Sequence, residues 1–198
     1  MITIKTLAIP VTAVGLLLVS GLILATTGTG EDGARQLIRV SAGSSLLLFA
    51  LAWSASSLNT LLAENTWRPV LQARRRLGIA FALSHTVHLG AIIWLVEVAF
   101  NGDYSELGEL YAGGVIYLFI YLMLLTSNDN AVKALGAKWW KRLHKVGGYL
   151  IWVGLTSSYV GGLIEVGAWY YWIYAPLSLA LLFLRIAAYR TTKRVAHA

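Results

Sequence analysis

The chain has 198 residues, 58% of them hydrophobic and 13% charged, with a mean hydropathy of +0.67, a balance that marks an integral membrane protein and excludes an ordinary soluble domain. There is no cysteine, which rules out disulfides, thiolate metal sites and cysteine nucleophiles. A net charge of +7 would suit a nucleic-acid partner, but the placement of the charges along the chain argues for membrane topology and no nucleic acid.

The first apolar segment runs from about Leu7 to Thr27, after Lys5. It is long enough to cross a bilayer, and Ala25-Thr26-Thr27 makes a poor cleavage site, so it reads as a retained helix rather than a signal peptide. A glycine-rich break through Gly28, Gly30 and Gly33 leads to segment two, about Arg39 to Leu62. Its serines (Ser41, Ser44, Ser45, Ser54, Ser56 and Ser57) suit close helix packing without any chemistry. The loop to Arg76 holds Arg68, Pro69 and the triplet Arg74-Arg75-Arg76.

Segment three spans about Leu77 to Phe100 and exits into acidic residues, Glu97, Asp103, Glu106 and Glu109. Segment four covers about Leu110 to Thr126 and ends at Ser127-Asn128-Asp129-Asn130. A basic loop with Lys133, Lys138, Lys141, Arg142 and Lys145 precedes segment five, about Val146 to Ile164. Trp169-Tyr170-Tyr171-Trp172 has the look of an interfacial belt at the start of segment six, which continues to about Ala188 with a kink expected at Pro176. The pairs Gly113-Gly114, Gly147-Gly148 and Gly161-Gly162 read as packing contacts. With three prolines and no polar tract, residues 1–198 form a single domain.

The expected fold is therefore all-α, a six-helix transmembrane bundle. Fourteen of the 16 Lys and Arg residues fall in the N-terminus, the second loop, the fourth loop and the C-terminal end. The positive-inside rule makes these regions and both termini cytoplasmic. Arg35 and Arg39 are left outside with seven of the nine acidic residues. That acidic outer face suits a basic partner, or simply reflects the exclusion of Lys and Arg.

Within this frame the histidines stand out. His85 and His88 share one face of segment three. Counting from Arg76 at helical rise, they lie about 13 and 18 Å deep. An ionisable side chain at that depth is costly and points by default to a functional site inside the bundle. The plainer alternative is two neutral imidazoles bonded to neighbouring helices. His144 belongs at the inner interface among Trp139, Trp140 and basic residues, and His197 lies in the tail.

Arg75-Arg76-Leu77-Gly78, with His88 ten positions after the glycine, resembles the third helix of ferric reductase-like transmembrane domains. Lys141-Arg142-Leu143-His144-Lys145 resembles the start of that family's fifth helix. In size the chain resembles the heme-binding membrane subunit of the bacterial periplasmic methionine-sulfoxide reductase system. The resemblance implies a b-type heme held by histidines of helices three and five, an inner (plasma) membrane location, and electrons passed across the bilayer to a separate acceptor. It carries over His88 as the outer ligand and His144 as the inner histidine of helix five. In the family a second helix-five histidine follows about thirteen positions later; here that window is Leu155-Thr156-Ser157-Ser158-Tyr159. His144 meets His85 through a shift of helix five, or one ligand holds the heme, or none binds; His85 is the candidate substitute ligand.

Relatives that reduce metals or oxygen carry a flavin and nicotinamide domain after the sixth helix. None is expected here, so electrons would arrive from a quinone or a separate flavin-bearing reductase, with a soluble or membrane redox partner as acceptor. Two other readings compete. One is a heme-free relative serving as an assembly or scaffold subunit. The other is a metal-ion site or transporter built on His85 and His88.

Overall fold

The computed structural model describes residues 4–62, 66–106 and 110–196. It is all-helical, with seven α-helices: α1 Ile4–Thr27, α2 Glu31–Leu61, α3 Arg68–Ala99, α4 Leu110–Leu125, α5 Asp129–Leu135, α6 Ala137–Glu165 and α7 Tyr171–Ala196. Four of them, α1, α2, α3 and α7, are long and apolar enough to cross a membrane. The α4–α5 pair, bent by 105° at its break, is a fifth candidate. The remaining long helix, α6, has 29 residues but interrupts its apolar run with glycines, Thr156, Ser157, Ser158 and Tyr159, and is not among the candidates. The chain is thus an integral, multi-pass membrane protein. Glu109 and His197 fall outside the described residues.

Several helices start earlier than the apolar segments that mark them. Glu31 and Asp32 occupy the first turn of α2, where the helix dipole favours negative charge, and Glu31 pairs with Arg35 one turn on. Pro69, in the first turn of α3, is preset for a helix start, so the arginine triplet lies within α3 and not in a loop. The basic loop is likewise helical. Asn128 caps α5, its side-chain oxygen accepting from the Ala131 N–H at 2.8 Å. Gly136, at φ +75°, then separates α5 from α6 in a backbone region that side chains rarely adopt. Beyond α3, the Ser105 hydroxyl and backbone N–H donate to Asp103 at 2.6 and 2.9 Å, holding that carboxyl below its ordinary range.

The most extensive helix pairing is α2 on α3, and serines make it. Ser41, Ser45 and Ser84 are fully buried there. The Ser84 hydroxyl lies 2.7 Å from that of Ser44, accepts from Ser45 at 3.0 Å, and reaches the Ser41 carbonyl at 3.3 Å. Small residues let the two backbones approach, and the hydroxyls bond across the gap. On the other side of α2, Leu46, Phe49 and Trp53 join Phe81, Ile120, Ile151, Leu155 and Leu181 in the main core.

The glycine pairs divide. A Cβ on Gly148 would come within 3.0 Å of Trp53 Nε1, and one on Gly147 or Gly162 would overlap Met123 or Tyr171, so these are close-packing positions. Around Gly113, Gly114 and Gly161 there is open space. The peripheral α1 leaves Leu17 and Leu18 exposed, as befits a helix turned to lipid. Pro176 lies inside α7, which stays helical through it.

Candidate functional site

Two cavities flank Ile151, which lines both. One, called the outer cavity after the expected topology, has a volume of about 380 Å³ and is bordered by His85 and His88 of α3, Tyr117 of α4 and Ser157, Ser158 and Tyr159 of α6. The inner one, of about 580 Å³, is bordered by His144, Trp140, Trp53 and a set of basic residues. Both volumes lie within the range of cofactor pockets. The structure thus brings His85 and His88 to one cavity and His144 to the other. Ser157 lines the outer cavity together with His88.

The bonds around His88 define its chemistry. Its Nδ1 lies 3.2 Å from the Ile38 carbonyl oxygen and 3.2 Å from the Ser41 hydroxyl. The Ser41 hydroxyl already donates to the Leu37 carbonyl at 2.6 Å, and a carbonyl can only accept. The proton therefore belongs on Nδ1, and Nε2 keeps its lone pair. That arrangement, one ring nitrogen donating to a backbone carbonyl, is how proteins orient a histidine for an iron or other metal.

His85 is buried, and its Nδ1 has no hydrogen-bond partner. Its ring stacks on Phe81 at 5.3 Å, His88 at 5.1 Å and Tyr117 at 5.0 Å. The Tyr159 hydroxyl, on the same cavity, is also buried without a partner. Leaving such a group unsatisfied costs about 1–3 kcal/mol, and the side-chain oxygens of Asn59 and Thr156 are buried in the same state.

His144 is differently engaged. The Thr126 hydroxyl donates to the Leu122 carbonyl at 2.7 Å, so the contact at 3.1 Å has His144 Nε2–H donating to Thr126. Trp140 packs against the His144 ring at 4.2 Å and donates from Nε1 to the Thr126 carbonyl at 2.8 Å. Together they fasten the first turns of α6 to the end of α4. Binding a metal through Nε2 would require His144 to release Thr126.

A b-type heme needs a neutral imidazole with a free lone pair and an apolar pocket. The outer cavity meets this from one side, through His88, with His85 beside it on the same helix. Across from them α6 offers hydroxyls and no imidazole, so the donors fit a heme ligated from α3 alone. Among the described residues no group of three or more His, Cys, Asp or Glu could hold a metal ion, which leaves a His85–His88 ion site short of ligands.

Sequence reading passed over two features. Tyr117, Tyr159, Tyr171 and Tyr174 ring the outer cavity, with Arg39 at its border. Arg185, counted with the basic tail, lines the inner cavity, where its Nη1 donates to the Trp53 carbonyl at 3.2 Å. An arginine within the sixth apolar segment was the available signal.

No family model matches the chain, and no solved structure matches it. Among curated proteins, it matches the protein-methionine-sulfoxide reductase heme-binding subunit MsrQ of Azospira oryzae, at 24% identity over 117 residues. The match covers 57% of this chain and 50% of the relative, so the chain spans about half the length of the curated protein it matches. It is distantly similar to that heme-binding subunit.

Proposed function

We propose that the chain is a membrane electron-transfer subunit of the ferric reductase-like type, holding one b-type heme in the outer cavity with His88 as axial ligand. The observation that carries this reading is the His88 Nδ1 contact with Ile38, which leaves Nε2 free beside a cavity of about 380 Å³. The similarity to a heme-binding subunit supports it independently. Such a heme supplies a one-electron carrier whose potential follows its axial ligand and surroundings. The protein's part is to hold and shield it. Ile38 and Ser41 fix the His88 ring, and Tyr117 and Ile116 help enclose the cavity. His85 is the second candidate ligand, and His144 anchors α6 to α4.

By its relative's name, the acceptor would be a protein-methionine-sulfoxide reductase; the donor would be a quinone or a separate reductase. The membrane would be a bacterial inner membrane with both termini in the cytoplasm. On this topology, reporter fusions after Glu31, Tyr104 and Glu165 all report the outside. A cytoplasmic signal at Tyr104 would reverse the orientation.

The heme itself is tested by a reduced-minus-oxidised spectrum of the detergent-purified protein, in which a b-type band is expected. The specific observation that favours a second reading is Ser157 and Ser158 where a facing imidazole would complete the site. A folded, colourless protein expressed with ample heme would establish that reading, a heme-free assembly or scaffold subunit.

A further inference from the structure

The inner cavity gathers positive charge with almost nothing to balance it. Arg74 and Arg75 of α3, Lys141 and Lys145 of α6 and Arg185 of α7 all line its volume of about 580 Å³. One carboxylate answers them among the described residues, Asp129 on Arg75 at 2.7 Å. Arg74 and Arg185 are close enough to repel each other, and the field of Arg74 and Arg75 reaches His144. Arg185 is also held in place, its guanidinium 4.4 Å over the Trp53 ring and 5.4 Å over Tyr149.

Beneath this rim the lining changes character. Phe49, Phe81, Met123 and Ile151 form an apolar floor. A cavity with cations at its edge and hydrocarbon below is complementary to an amphiphile with an anionic head. Arginines recognise phosphate through charge-assisted, forked hydrogen bonds, and basic pockets between transmembrane helices take acidic lipid headgroups. The positive-inside distribution would put this rim at the cytoplasmic leaflet.

We propose that the inner cavity binds an anionic phospholipid, its phosphate among Arg74, Arg185 and the α6 lysines and part of an acyl chain over Phe49 and Phe81. A free phosphate would satisfy the rim but leave the floor uncovered. The proposal does not depend on heme in the outer cavity, and its test uses none.

The test is native mass spectrometry of the full-length protein, delipidated in detergent and offered equimolar phosphatidylglycerol and phosphatidylcholine with identical chains. Retention of the anionic lipid should exceed that of the zwitterionic one by about tenfold. The Arg74→Gln/Arg185→Gln double variant should bring the ratio close to one. Because Arg185 also supports Trp53, the exposed pair Lys141→Gln/Lys145→Gln serves as a second variant and should lower the ratio too. Lys193→Gln/Arg194→Gln, which lies outside the cavity, should leave it unchanged. Equal retention of the two lipids by the unaltered protein would overturn the proposal. So would an equal loss in the Lys193 and Arg194 variant, which would mean general surface charge. Displacement of the lipid by inorganic phosphate at the same free concentration would also overturn it, and would assign the rim to a soluble phosphate-bearing ligand.

Discussion

Replacing Ser157 by histidine is expected to convert the proposed heme from ligation by α3 alone to a six-coordinate, low-spin form. Ser157 and His88 line the same cavity from facing helices, and the Ser157 hydroxyl does no more there than donate to its own helix at Gly154, 3.0 Å away. Losing that local bond costs little. The substituted imidazole gains space in an open cavity rather than in packed core. The absorption and magnetic-resonance spectra of purified Ser157→His read the spin state directly. A wild type already low-spin would show that His85 or His144 supplies the second ligand. A variant that inserts and folds but takes up no heme would mean that the pocket is closed to it, and the scaffold reading would follow.

The second large effect is expected from Ser84→Leu. Ser84 is fully buried at the α2–α3 contact, one residue before His85, and its hydroxyl engages Ser44, Ser45 and the Ser41 carbonyl. A leucine there overpacks the contact, at a cost of about 1–3 kcal/mol. It also deprives the neighbouring serine hydroxyls of their partner; interhelical hydrogen bonds in membranes average about 0.6 kcal/mol each. Pushing α2 from α3 would further separate His88 from Ile38 and Ser41. Ser84→Leu should therefore lower the thermal unfolding midpoint and heme retention together, whereas Ser84→Ala should do much less. If Ser84→Leu kept full stability, serine packing would not be what joins these helices.

Composition and periodicity carried the all-helical membrane class, because apolar runs of spanning length leave few alternatives. Helix ends were less legible. The arginine triplet and the basic residues from Lys133 to Lys145 read as loops by polarity, yet Lys, Arg, Leu and Trp are all compatible with helix, and the breaks come at Asn128 and Gly136 instead. Depths counted from Arg76 measure position along α3, not the start of a helix at the membrane face.

His85 and His88 could be found from sequence because a titratable group in an apolar run is conspicuous. Their difference could not. It lies in Nδ1, which is bonded to Ile38 in one and orphaned in the other. That depends on a backbone carbonyl fifty positions away, which no motif encodes. The separation of His144 from them was legible, since His144 stands at the start of segment five while His85 and His88 lie about 13 and 18 Å along segment three; its bond to Thr126 was not. Arg185 was visible as a charge, but its place over Trp53 depends on how α7 packs against α2.

The most direct measurement is the heme content per chain, by pyridine hemochrome, of the wild type beside His88→Ala and His144→Ala. About one heme is expected in the wild type and in His144→Ala, and almost none in His88→Ala, with all three proteins folded by thermal unfolding. Heme retained in His88→Ala and lost in His144→Ala would contradict this expectation and place the iron in the inner cavity.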